Sequence, residues 1–84
     1  MFIIISYDVN EKRCKKFNKL LKNYLFHVAN SVFHGEITES KYKALLISLD
    51  KIKIEEDRII IYELPKKNYL NIKYQDNKLF KVVY

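Results

Sequence analysis

Eighty-four residues, with a net charge of +6, one cysteine, one glycine and one proline, leave room for a single small domain and none for a second core or a linker. The lone cysteine, Cys14, excludes an internal disulfide framework and suits a chain kept in a reducing, cytoplasmic setting. The longest apolar run, Met1 to Ile5, is far short of a bilayer span and lacks the basic leader of a signal peptide, so the expectation is a soluble protein with no membrane association.

The charge is unevenly spread. Residues 1–35 hold six basic and two acidic side chains, residues 36–57 four basic and six acidic, and residues 58–84 six basic and two acidic. Both ends attract polyanions and the middle does not. The basic residues are almost all lysine, Arg13 and Arg58 being the two exceptions, and a Lys-, Ile- and Asn-rich composition also follows from genome base content. Charge alone therefore leaves nucleic-acid binding open.

In chain order, residues 2–7 form a short isoleucine-rich run ending in Tyr7-Asp8, which by length and β-branching predicts a buried strand. Asn10 is placed to cap a helix whose apolar positions, Cys14, Phe17, Leu20, Leu21 and Tyr24, recur at three- and four-residue spacing to about Tyr24. Its other face carries Lys12, Arg13, Lys15, Lys16, Lys19 and Lys22, which is either an ordinary solvated face or a phosphate-binding one. Phe26 to Ile37 predicts two short strands, or one strand bent sharply at Asn30-Ser31, and Gly35 marks a bulge or a close backbone approach. Thr38 then caps a second helix with the stripe Tyr42, Leu45, Leu46, Leu49 and Ile52, followed by the acidic cluster Glu55-Glu56-Asp57. Residues 58–64, RIIIYEL, form a strand stopped at Pro65. The terminal KLFKVVY reads as one more.

Strand, helix, strand, strand, helix, strand is the order of an α+β, ferredoxin-like βαββαβ sandwich, here one domain over residues 1–84 with an additional C-terminal strand. Two helices cover one face of such a sheet, and a solvated second face requires polar residues at alternate positions. Phe2 to Ile5 and Ile59 to Tyr62 do not alternate. The second face must therefore be covered, and a homodimer packed sheet to sheet is the economical solution, with the tail from about residue 65 pairing with the partner subunit.

Asp8 closes the first strand just ahead of a helix, where sheets of this class tend to place functional side chains, although a turn or capping aspartate would stand there too. One carboxylate is a poor Mg²⁺ site, but in a twofold dimer Asp8 occurs twice and the pair can share a metal. Neither His27 nor His34 has the companions a general base or a metal cluster needs.

These residues carry a resemblance. YDV closing the first strand, a basic helix, and NSVFHGEIT after it resemble the CRISPR-associated protein 2 family of small spacer-acquisition proteins, from Met1 to about Leu64. The resemblance implies a homodimer that bridges the CRISPR-associated integrase, CRISPR-associated protein 1, and double-stranded DNA. It also implies a Mg²⁺-dependent endonuclease acting on single-stranded RNA or duplex DNA, with Asp8 as catalytic residue and metal ligand. Tyr7, Ser31 and Phe33 match the supporting motif. Arg13 matches a basic residue of the first helix, and with Lys12, Lys15, Lys16 and Lys19 it forms the expected nucleic-acid-binding set. His27 stands where some members have arginine, and Lys15 or Lys16 replaces another, exchanges that weaken bidentate phosphate binding. Two alternatives remain, a non-catalytic DNA-binding scaffold and a toxin-type mRNA endoribonuclease of the same fold; the aromatic signature of an RNA-recognition motif is absent.

Overall fold

The computed structural model describes residues 1–65, together with the backbone of two short strands at 72–74 and 81–83. The elements are β1 (Phe2–Asp8), α1 (Glu11–Leu21), β2 (Phe26–Ala29), β3 (Val32–Glu36), α2 (Glu39–Ile52), β4 (Arg58–Leu64), β5 (Ile72–Tyr74) and β6 (Lys81–Val83). Strands 1 to 4 form one antiparallel sheet in the order β2-β3-β1-β4, with α1 and α2 packed on a single face, the ferredoxin-like α+β sandwich.

Local chemistry sets the helix starts. The Asn10 side chain accepts a hydrogen bond from the Lys12 N–H at 3.0 Å, and Thr38 Oγ1 accepts one from the Lys41 N–H at 3.2 Å, so each helix has its first turn capped. The first helix stops at Leu21, one turn earlier than its periodicity suggests. The Asn23, Tyr24 and Leu25 N–H groups donate to Leu20 and Leu21 carbonyls, winding a turn that drops Leu25 into the core.

Every second residue of β1 faces the helices. Ile3, Ile5 and Tyr7 join Phe17, Leu21, Phe33, Leu45 and Leu49 in one core cluster. Ile3, Ile5, Phe17, Leu21, Phe33 and Leu45 are fully buried, each worth about 1.5–3 kcal/mol relative to an exposed position. In β4, Ile59 and Ile61 turn toward the same core, while Ile60 and Tyr62 point to the opposite face and are more than half exposed.

Between the two readings of residues 26–37, the structure takes two strands, with Asn30 at φ 44° in the connecting turn, a left-handed conformation asparagine tolerates. The irregularity in pairing falls between His27 and Ala29 rather than at Gly35. Gly35 marks a close approach instead, since a Cβ there would meet Leu25 Cδ2 at 3.3 Å. The C-terminal strand is β6, but it pairs with β5, which the sequence pattern did not signal; the two form a separate antiparallel pair. The side chains of that tail lie outside the described residues.

Candidate active site at the carboxyl end of the first strand

The site is built outward from Tyr7. Its ring is buried between Phe17 and Phe33, with centroids 5.3 and 6.3 Å away, and its N–H donates to the Ser31 carbonyl at 3.1 Å. These contacts fix the last turn-proximal residue of β1, so the next residue, Asp8, leaves the sheet from a rigid base. Asp8 itself is exposed and lies on the face away from the helices, as its alternation with Tyr7 requires. Burial pushes the Tyr7 phenol up, a hydrogen bond with Asn18 draws it partly back, and nearby Cys14 raises it again. A phenol so held keeps its proton near neutral pH and serves as an anchor.

Three of the expected motif residues thus come together: Tyr7 and Phe33 in one aromatic stack and Ser31 through its backbone. His27 extends that stack, its ring 4.6 Å from Phe33, and its Nε2 lies 2.6 Å from the Asn30 carbonyl, the acceptor that makes this nitrogen the donor. The imidazole closes the β2–β3 turn where an arginine would reach outward.

The basic helix divides into two groups. Lys12, Lys15, Lys16 and Lys19 are exposed. Lys16 and Lys19 line a shallow groove between α1 and α2 together with Lys51, Leu20, Ser48 and Ile52, whereas Lys15 borders a hollow with Tyr7, Asn18, Asn30 and Ser31. These lysines belong to the helix layer, across the sheet from the face on which Asp8 emerges.

Arg13 departs from this set. Its Nε donates to Asp57 Oδ1 at 3.3 Å and its Nη2 to Asp57 Oδ2 at 2.8 Å and to the Ile52 carbonyl, while the guanidinium lies over the Phe17 ring at 5.7 Å. The Asp57 carboxylate also accepts from the Ile54 N–H at 2.9 Å and its side chain has no solvent-exposed area. The hydrogen bond from Arg13 holds this carboxyl below the usual aspartate range, against the opposing effect of its desolvation. A guanidinium with its donors so committed fastens α1 to the α2–β4 turn and has little left for a phosphate.

The residue that the sequence pattern missed is Arg58. It is the first residue of β4, paired across the ladder with Asp8, exposed, and on the same face of the sheet. A register spanning 50 residues of sequence leaves no local signal; the presence of only two arginines in a lysine-rich chain was the available hint.

The family model for CRISPR associated protein Cas2 matches residues 1–72. A CRISPR-associated endoribonuclease Cas2 of Thermodesulfovibrio yellowstonii is 42% identical over 71 residues, covering 83% of this chain and 78% of that protein. The CRISPR-associated endoribonuclease Cas2 of Thermotoga maritima is 37% identical over 73 residues, covering 86% and 84%. Among solved structures, one Cas2 crystal structure superposes with a TM-score of 0.81 at 38% identity, covering all of this chain and 98% of that one. Streptococcus pyogenes Cas2 at pH 6.5 superposes with a TM-score of 0.71 at 32% identity, covering 80% and 89%. Matched by this family model over most of its length, and by relatives at 37–42% identity, the chain belongs to the CRISPR associated protein Cas2 family.

Proposed function

We propose that the protein is a cytoplasmic CRISPR adaptation protein. Two copies pack through the helix-free faces of their sheets, bridge the CRISPR-associated integrase and duplex DNA during spacer acquisition, and hydrolyse phosphodiester bonds at Asp8 with Mg²⁺. The observation that carries this reading is the placement of Asp8, an exposed carboxylate on a rigid strand end, on the same face as the exposed apolar side chains Phe26, Ile60 and Tyr62. Apolar surface of that kind favours burial against a second copy, and a twofold arrangement supplies Asp8 of the partner subunit. The endoribonuclease names of the relatives support the chemistry.

Among the described residues no three His, Cys, Asp or Glu side chains gather into a metal cage. Mg²⁺ does not need one, because it keeps several waters and binds through one or two carboxylates completed by substrate phosphates, and an exposed Asp8 suits that mode. Held by Asp8, such an ion would supply Lewis-acid polarisation of a phosphoryl oxygen and a water of lowered pKa. Asp8 supplies the ligand oxygen, the Tyr7–Phe17–Phe33 stack keeps it in place, and Lys12, Lys15, Lys16 and Lys19 attract the phosphate backbone. Arg13 acts at one remove, by fixing the turn that begins β4.

The deciding experiment compares wild type with Asp8→Ala on labelled single-stranded RNA and duplex DNA, with and without Mg²⁺, alongside light scattering for the oligomeric state. Metal-dependent cleavage by a dimer, lost in Asp8→Ala, is the expected result; a monomer that does not cut either substrate refutes the reading. One carboxylate per chain favours a second reading, a non-catalytic scaffold for integrase and DNA. It predicts that Asp8→Ala leaves spacer acquisition in cells unchanged.

A further inference from the structure

We propose that Arg58 is the phosphate-binding residue of the Asp8 site, gripping a non-bridging pair of oxygens on the nucleic-acid strand held at that carboxylate. The inference rests on the reading of Asp8 given above and assigns the site a substrate contact that its motif residues do not provide.

Four observations converge on Arg58. The seven-residue register of β1 with β4, from Phe2 opposite Leu64 to Asp8 opposite Arg58, admits no slip without turning Ile59 and Ile61 out of the core. Directly opposed residues of an antiparallel pair have Cα atoms about 4.5–5.5 Å apart and project to one face, so carboxylate and guanidinium leave the sheet side by side.

The second observation is the rigidity of the base. Asp57, the preceding residue, receives the Arg13 fork and the Ile54 N–H, and its own N–H donates to the Ile54 carbonyl at 2.9 Å. The backbone that presents Arg58 is therefore clamped to α1 from the helix side of the sheet. Placing a binding side chain on a locked element is what a precise contact needs.

Third, the Arg58 donors have no ion-pair partner among the described residues, whereas the other arginine of the chain is consumed by Asp57. Fourth, the chemistry matches the need. Two Asp8 carboxylates sharing a divalent cation leave the charge of a bound phosphodiester unbalanced, so a neighbouring positive group favours its binding, and a guanidinium fork fits two phosphate oxygens where a lysine offers a single point charge. The lysines of α1 sit in the helix layer; Arg58 shares the open face with Asp8.

The test uses the full chain and a fluorescently labelled single-stranded RNA. In an Asp8→Ala background, where the strand is not cut, Arg58→Ala should weaken binding about tenfold. It should also lower the slope of log K against log salt by about 0.7, one phosphate contact's worth for a single strand. Arg58→Lys should restore the slope but not the affinity. With Asp8 intact, Arg58→Ala should raise KM for cleavage without shifting the melting temperature. Unchanged affinity and unchanged salt slope in Arg58→Ala would overturn the assignment whether or not the wild type cleaves, while a wild type that binds through Arg58 but never cuts would instead refute the nuclease reading.

Discussion

The two faces of the main sheet use the same kinds of residue for opposite ends. On the helix side, isoleucines, phenylalanines and an arginine close upon one another: Ile3, Ile5 and Phe33 are fully buried, and Arg13 gives its donors to Asp57 and Ile52. On the open side Ile60, Tyr62 and Phe26 stand more than half exposed, and Arg58 stands beside Asp8 with no ion pair among the described residues. Residue type is the same on both faces; what differs is how completely it is covered, since on the open side Phe2 and Ile4 are buried while Phe26, Ile60 and Tyr62 are not. The exposed apolar side chains and the exposed Asp8 and Arg58 on the open side are what the proposed interface rests on.

The comparison breaks most visibly at the core. Phe33→Ala removes the ring on which both Tyr7 and His27 stack and should cost about 3–5 kcal/mol in chemical denaturation, a large share of the stability of a domain this small. The double substitution Ile60→Ser with Tyr62→Ser should leave the protomer's circular dichroism native-like and appear in sedimentation as dissociation of the proposed dimer. If the open-face pair unfolds the protomer more than Phe33→Ala does, the contrast between the faces is reversed.

The two arginines allow a finer cut. Arg13→Ala should lower the melting temperature and Arg58→Ala should not, a difference that a single thermal scan of each variant measures. Because the folded Asp57 carboxyl lies below its ordinary value, its contribution is fully present above about pH 4, where the unfolded chain also ionises, and fades as pH falls through the folded value. Melting temperatures from pH 2 to 7 should show that acid loss in wild type and lack it in Asp57→Asn.

Tyr42 gives the matching alkaline limb. Burial, followed by its hydrogen bond to Glu63, pushes its hydroxyl up to about 12. Stability from this pair is present below pH 10 and is lost as pH rises through 12, which Tyr42→Phe should abolish. The smallest effect on stability belongs to Lys15→Glu with Lys19→Glu. Both side chains are exposed, so the change should stay within about 0.5 kcal/mol while duplex affinity falls and its salt dependence flattens.

Much of this was readable along the chain because it is local. Asn10 and Thr38 cap their helices through bonds to residues two and three positions away, and the spacing of Phe17 and Leu21 or of Tyr42, Leu45 and Leu49 states which side of each helix is buried. Asp8 was marked by its place at the end of an apolar run. The role of Arg13 was not readable, since the acid that captures it lies 44 residues away in a turn whose acidic cluster gives no hint of which member points inward. Composition also left open whether Gly35 served a bulge or a tight contact, and the β5 strand carried too few residues to register as a pattern.

The sequence by itself determined the two helices, the strands of the main sheet and their order, because these follow from hydrophobic periodicity and from capping within a few bonds. Only the tertiary structure decided which arginine is spent inside the fold and which stands exposed opposite Asp8. That choice depends on strand register and on charges brought together from distant positions, and neither is encoded in any short stretch of chain.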